Sequence, residues 1–279
     1  MASAFSFAFA NLGFQIDVPD ESWVEIMKTH YQGFIQTHPD PWHIQLLQDP
    51  RLDYTPHPWA SHEKTITRFR IAFYRGEVDL LSKRAWVSTP TLEKAPSALA
   101  RVVTFIATWA LPRQEALLLH ATGLGIGGKG FAFAGASGAG KTTIAGLAPL
   151  GSQIIGDENV IIRLEGDTPT LYSTPFWGQN TPESQIQRMR VQYPLTVLFI
   201  LKQSPHWFLR PLRASEAILS LLATEKVAVE RTESARAWLD VASRLIAQIP
   251  VFELGFLPSP ELWPFLATQG FRDFLSGGN

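Results

Sequence analysis

The sequence predicts a mixed α/β fold, and three observations carry that prediction. Gly135-Ala136-Ser137-Gly138-Ala139-Gly140-Lys141-Thr142 fills the pattern G-x-x-x-x-G-K-[ST] between a strand-like Phe131-Ala132-Phe133-Ala134 and a helical stretch over 143–147. Residues 195–201 form an apolar run, interrupted only by Thr196, of the kind a central strand shows. Strands outnumber helices up to position 201 and helices dominate afterwards, which argues for a mixed sheet without regular alternation. A small strand-rich N-terminal domain, 1–95, is expected ahead of a phosphate-loop domain, 96–279.

Residues 5–18 read as one or two short strands, because Phe5, Phe7 and Phe9 alternate with small residues and a turn is marked near Asn11 and Gly13. Residues 21–35 suit a short helix. From 37 to 58 the chain carries Pro39, Pro41, Pro50, Pro56 and Pro58, which predicts a long irregular segment, since each proline removes a backbone donor. Residues 65–74 alternate as a strand, and Arg75-Gly76 predicts a turn into 77–81 and hence a hairpin. A helix is predicted over 96–111, with Leu99, Val102, Val103, Ile106 and Trp109 or Ala110 on one stripe and Pro112 just beyond.

Residues 116–126 and 129–134 predict two strands joined at Gly127-Gly128, the second feeding the loop. A buried strand at 153–155 ends at Gly156-Asp157-Glu158, and extended chain follows over 160–164. A turn at Gly166-Asp167 and a short extended stretch at 170–173 lead into Thr174-Pro175-Phe176-Trp177-Gly178. Amphipathic helices are predicted over 215–223 and 234–249, each with a serine placed to cap it, then a strand over 251–256 and a last helix opening at 260–266.

The loop pattern has a chemical reason. Glycines let backbone N–H groups turn inward around phosphate oxygens, and a following helix N-terminus adds partial positive charge. Lys141 is then placed to reach the β- and γ-phosphates, the Thr142 hydroxyl to ligate Mg²⁺, and Thr143 to extend the cradle. Two further positions narrow the class. Asp157-Glu158 closes an apolar strand 16 residues after Lys141, and His120 lies 15 residues before Gly135. Transport-type ATPases place their strand-end carboxylate much later, after a Ser- and Gly-rich signature that is missing here.

With 46% apolar and 18% charged residues, the chain is globular and not disordered. A net charge of −1 argues against nucleic acid or an anionic membrane surface as partner, since both need a basic excess. Without cysteine, disulfides, thiolate zinc sites and cysteine nucleophiles are excluded. Residues 1–14 lack a basic n-region and no long apolar span occurs, so a cytoplasmic protein is expected. His30, His38, His43, His57 and His62 crowd the Pro-rich region, but their spacing fits no compact metal site. The nine tryptophans are scattered, which suits packing; Trp42 and Trp59, in irregular sequence, are candidates for contact with a substrate peptide, with packing the favoured reading.

His120, the apolar run 123–134, the phosphate loop and Asp157-Glu158 together resemble the HPr kinase/phosphorylase family and the serine kinases related to it. The resemblance covers roughly 45 residues by position, with a looser likeness to about residue 222. It implies a core related to phosphoenolpyruvate carboxykinase, with ATP and Mg²⁺ as cofactors and a serine hydroxyl of a peptide or small protein as acceptor. Asp157 matches the family's catalytic aspartate, His120 the histidine beside it that tunes its proton affinity, and Glu158 a second acidic position that supports Mg²⁺. The family's downstream basic Gly-rich segment is not found. Residues 173–178 look instead like the Pro-Gly turn of related kinases from peptide-modification clusters, including lasso-peptide kinases. Residues 1–95 show no likeness to the HPr kinase N-terminal domain, and homo-oligomers occur in the resembling family. Arg188 and Arg190 are candidates for charge on the transferring group. A small-molecule kinase and a nucleotide-dependent switch that transfers nothing stand as alternatives.

Overall fold

A computed structural model describes residues 3–178, 189–224 and 232–272. The chain divides into two compact units, Met1–Ala107 and Thr108–Asn279. Each is built on its own mixed sheet.

In the first unit, β1 (Ser3–Phe9) and β2 (Leu12–Val18) form a hairpin whose turn residues Ala10 and Asn11 both have positive φ, 43° and 63°. That turn matches the right-handed twist of the strands. Helix α1 (Glu21–His30) begins at Asp20, whose carboxylate accepts the Ser22 N–H at 2.9 Å, and it buries Trp23, Val24 and Met27. The strands β3 (Trp42–Gln48), β4 (Thr55–Glu63), β5 (Ile66–Ala72), β6 (Tyr74–Asp79) and β7 (Arg84–Thr89) complete a sheet of order β1-β2-β3-β7-β6-β5-β4. Phe7 stacks on Tyr31 at 4.4 Å and on Phe14 at 5.1 Å, so the aromatic alternation read from the sequence is the core face of β1.

Two expectations are corrected here. The segment 37–58 is not irregular throughout: β3 lies between Pro41 and Pro50 and alternates buried Trp42, Ile44 and Leu46 with exposed residues. Pro56 and Pro58 lie in β4, the edge of the sheet, across a register shift between Thr55 and Trp59. An edge strand tolerates prolines because one side of it needs no donors. Trp42 is packing; Trp59 is half exposed. The second hairpin turns at Ala72-Phe73, where Ala72 has φ 51°, and Gly76 sits inside β6 opposite Phe69. A Cβ on Gly76 would lie 2.5 Å from the Trp86 carbonyl oxygen and 2.6 Å from the Phe69 ring, so this glycine serves close packing.

Helix α2 (Ala95–Ala110) runs across the division between the units. Leu99, Val102, Val103 and Ile106 are fully buried along the predicted stripe, while Trp109 is partly exposed beneath the Arg113 guanidinium.

The second unit holds β8 (Ala116–Leu119), β9 (Ala121–Ile126), β10 (Lys129–Ala134), α3 (Lys141–Gly146), β11 (Gln153–Gly156), β12 (Val160–Arg163) and β13 (Thr170–Tyr172). After these come β14 (Gln192–Gln203), β15 (Phe208–Pro211), α4 (Ala214–Thr224), α5 (Thr232–Gln248), β16 (Val251–Phe256) and α6 (Leu262–Thr268). The strand order is β11-β9-β10-β14-β13-β12-β8, with β16 also on β14 and β15 beyond it. β14 is central: its start pairs with β13, and the apolar run 195–201 lies in its continuation, parallel to both β10 and β16.

Side-chain alternation divides the core into two layers. Phe131, Phe133, Val197, Phe199 and Leu201 pack with Ile144 of α3 and Leu262, Trp263 and Leu266 of α6. Ala132, Ala134, Leu198 and Ile200 face the other way, onto Leu221 of α4 and Trp238, Val241 and Leu245 of α5. Small residues on that face admit the two helices, and the phenylalanines fill the opposite side, where Phe133 stacks on Phe199 at 4.9 Å.

The strand expected over 116–126 is broken at His120, because β8 pairs with β12 while β9 pairs with β10 and β11. The expected serine cap of the helix at 214 is also corrected. Ser215 lies inside α4, and Glu216 reaches back to the Arg213 N–H at 3.0 Å, half of a capping box. Ser234 likewise lies inside α5.

Tyr172 at the end of β13 donates to Glu165 Oε1 at 2.6 Å. Burial first, then the bond and negative charge of Glu165, push its phenol up to about 12. The folded value lies above the unfolded one of about 10. The stabilisation is therefore present in full below pH ~10 and is lost as pH climbs through the folded value. An ultraviolet titration is expected to show a phenol step near 12 that Tyr172→Phe removes.

Candidate phosphate-loop site

The hairpin of β9 and β10 turns at Gly127 and Gly128, with φ of 56° and 78°, and aims β10 into the loop 135–140. Gly135 is buried: a Cβ there would meet Ala139 Cβ at 2.8 Å and Leu201 Cβ at 3.2 Å. Gly138 and Gly140 have φ of 81° and 109°, which ordinary side chains rarely adopt. Gly140 also lies directly against the Phe256 ring. The Ala139 N–H closes the turn on the Ala136 carbonyl at 3.0 Å. Ala136, Ser137 and Gly138 form the exposed tip of the loop, and Gln203 Nε2 donates to the Gly138 carbonyl at 2.7 Å.

Helix α3 starts at Lys141, two residues earlier than the sequence suggests. The Lys141 side chain is buried and folds back inside the loop, where Nζ donates to the carbonyls of Gly135 at 2.9 Å and Ala136 at 3.0 Å. Thr142 is exposed and Thr143 partly so.

The carboxylates arrive from β11. The pairing with β9 shifts register between Ile154 and Gly156 and ends with Gly156 opposite Gly123, after which the chain runs on through Asp157 and Glu158. A Cβ on Gly156 would lie 2.8 Å from the Asn159 carbonyl oxygen. Asp157 is 1% exposed, and its Oδ1 accepts the Gly178 N–H at 3.0 Å. Glu158 is more open, with Oε1 3.4 Å from Nδ1 of His120, so the imidazole engages the second member of the acidic pair. Its place at the bend between β8 and β9 gives His120 that reach.

Two hydroxyls that sequence reasoning missed hold these parts together. Thr122 on β9 is fully buried and donates to the Lys141 carbonyl at 2.8 Å, with the Asp157 carbonyl 3.5 Å from the same oxygen. Thr174 is also buried; it donates to the Asn159 carbonyl at 2.9 Å and accepts the Phe176 N–H at 3.3 Å. With the Gly178–Asp157 bond, it fastens the stretch 174–178 over the acidic turn. A lone hydroxyl in the apolar run 121–126 was the available signal for Thr122. Arg190 is exposed, and Arg188 lies outside the described residues.

A family model described as "SynChlorMet cassette protein ScmC" matches residues 97–263, more than half of the chain. The chain belongs to the ScmC family. That match takes in His120, the loop and both acidic residues. Among solved structures, the chain is similar to the Hpr(Ser) kinase/phosphatase from Coxiella burnetii, at 14% identity and a TM-score of 0.32, over 55% of this chain and 95% of that one. The search of curated proteins finds no match.

Among the described residues, no three His, Asp or Glu side chains cluster as a metal cage. Mg²⁺ rarely needs one, being held by one or two protein oxygens, phosphate and water. The hydroxyl of Thr142 and the carboxylate of Glu158 are exposed or partly exposed hard oxygen donors of that kind. No helix of the described residues is long and apolar enough to cross a membrane.

Thr122→Val keeps the side chain's shape but leaves the Lys141 carbonyl without its buried donor; denaturant titration is expected to show a loss of about 1–3 kcal/mol, and Thr122→Ser a smaller one. Gly140→Ala adds a methyl group against the Phe256 ring at a positive φ, so it is expected to lower the melting temperature and deform the loop.

Proposed function

We propose that the chain is an ATP- and Mg²⁺-dependent kinase that moves the γ-phosphate to a hydroxyl, a serine of a peptide or small protein. The observation that carries this reading is one buried hydroxyl, Thr122, which lies within hydrogen-bonding reach of the backbone of both Lys141 and Asp157. A buried carboxylate tied to the loop in this way is placed to serve as a base for an acceptor hydroxyl. The likeness of 173–178 to kinases of peptide-modification clusters favours a peptide acceptor.

In this mechanism the loop backbone cradles the phosphates, and Lys141 turns its ammonium from the Gly135 and Ala136 carbonyls toward the β- and γ-oxygens. Thr142 and Glu158 supply the protein oxygens for Mg²⁺, which neutralises charge on the phosphates when bound. Asp157 takes the proton of the acceptor hydroxyl as the new O–P bond forms and the bond to the ADP oxygen breaks. The Gly178 N–H donates to Oδ1 and orients the carboxylate. His120 steadies the acidic turn through Glu158.

Labelled ATP offered with peptide and metabolite pools, and mass spectrometry of the products, tests this reading. Asp157→Asn keeps an oxygen for the Gly178 N–H and removes the base. Transfer is expected to fall by about 10²-fold or more with nucleotide binding retained, whereas Lys141→Ala weakens binding itself. Normal transfer by Asp157→Asn would remove the base assignment, and labelling of metabolites alone would remove the peptide.

A further inference from the structure

Three glycines shape the phosphate loop, and each meets a side chain from the two parallel strands beside it. Leu201 of β14 lies under Gly135, Phe256 of β16 under Gly140, and Gln203 of β14 on Gly138. The register explains the set. Ala134 pairs with Ile200 and Gln203 with Phe256, so the C-terminal ends of both strands come level with the loop. The first two contacts are apolar and lie in the core. The third is a single polar bond to the exposed tip.

Gly138 is where the tip is least constrained by packing, since a Cβ on it would find no atom within 4 Å. The peptide linking Gly138 to Ala139 is instead fixed at both ends by hydrogen bonds. Its N–H donates to Ala136 at 3.0 Å and its carbonyl accepts from Gln203 at 2.7 Å. Without the second bond, rotation of that peptide can carry the carbonyl oxygen toward the phosphate side, where it repels an anion. Neighbouring Lys202 does not supply this donor, because its ammonium lies 3.6 Å from Glu253.

Resting on the phosphate-loop reading above, we propose that Gln203 is a positioning residue for nucleotide: its side-chain amide holds the Gly138 carbonyl out of the cradle and thereby sets nucleotide affinity. A neutral amide suits this task. A carboxylate would face both the carbonyl and the phosphates with like charge, and a shorter amide would fall one carbon short.

Titration of the full chain with Mg-ATP and Mg-ADP, beside melting without nucleotide, tests the assignment. Gln203→Ala is expected to weaken nucleotide binding about fivefold, the scale of one neutral hydrogen bond. Gln203→Asn should behave like Gln203→Ala, and Gln203→Glu should be weaker than either. Because Gln203 is exposed, the melting temperature stays at the wild-type value. In transfer assays KM rises while kcat holds, the signature of binding lost equally from ground and transition states. If wild type binds and Gln203→Ala binds within twofold of it, or if the loss comes with a lowered melting temperature, the inference is overturned and the phosphate-loop reading stands. Failure of the wild type to bind nucleotide at all overturns both.

Discussion

The site depends on one buried hydrogen bond, from the Thr122 hydroxyl to the carbonyl of Lys141. Thr122 sits on β9, which lies between the strand that delivers the phosphate loop and the strand that delivers the acidic turn. A hydroxyl has a single hydrogen, and here it goes to the first residue of α3; the Asp157 carbonyl is near enough to compete for it. Buried and shielded from water, such a bond has no solvent substitute. The lysine and the carboxylate are thus referred to the same atom, although 16 residues separate them in the chain.

Around that bond the sheet supplies rigidity through a division of labour. The alternation of phenylalanine and alanine in β10 gives one face to bulky rings and the other to helix approach. β10 cannot shift register by one residue without exchanging those faces, so the point at which the loop leaves the strand is determined by core packing. The acidic turn is held differently, by polar contacts from a later stretch of chain: Thr174 on Asn159 and Gly178 on Asp157. One half of the site is positioned by the hydrophobic core and the other by a few side-chain-to-backbone hydrogen bonds.

Legibility in the sequence followed the range of the interactions. Strand, loop and helix around Gly135 could be read because their determinants are local: positive-φ glycines, an alternating strand, a lysine at fixed spacing. The central position of residues 195–201 was readable from a short apolar run of the kind that a strand covered on both faces carries. The break at His120 was not, since β8 and β9 part only because their partners, β12 on one side and β10 and β11 on the other, diverge in space. Prolines misled for a similar reason: Pro56 and Pro58 are harmful in a central strand and harmless at an edge, and edge position is a property of the whole sheet. Thr122, Thr174 and Gln203 act on backbone groups remote in sequence, for which no spacing rule exists.

The three contacts beneath the loop glycines also bear on the order of assembly. Leu201, Gln203 and Phe256 belong to strands synthesised well after the loop they shape, and β10 meets β14, as β14 meets β16, by parallel, long-range pairing. Such pairing requires closure of long chain segments before it returns any stabilisation, which makes it slow. The motif is therefore translated early and shaped late. A fragment that stops before β14 would contain every residue of the motif and none of the surface against which it takes its form.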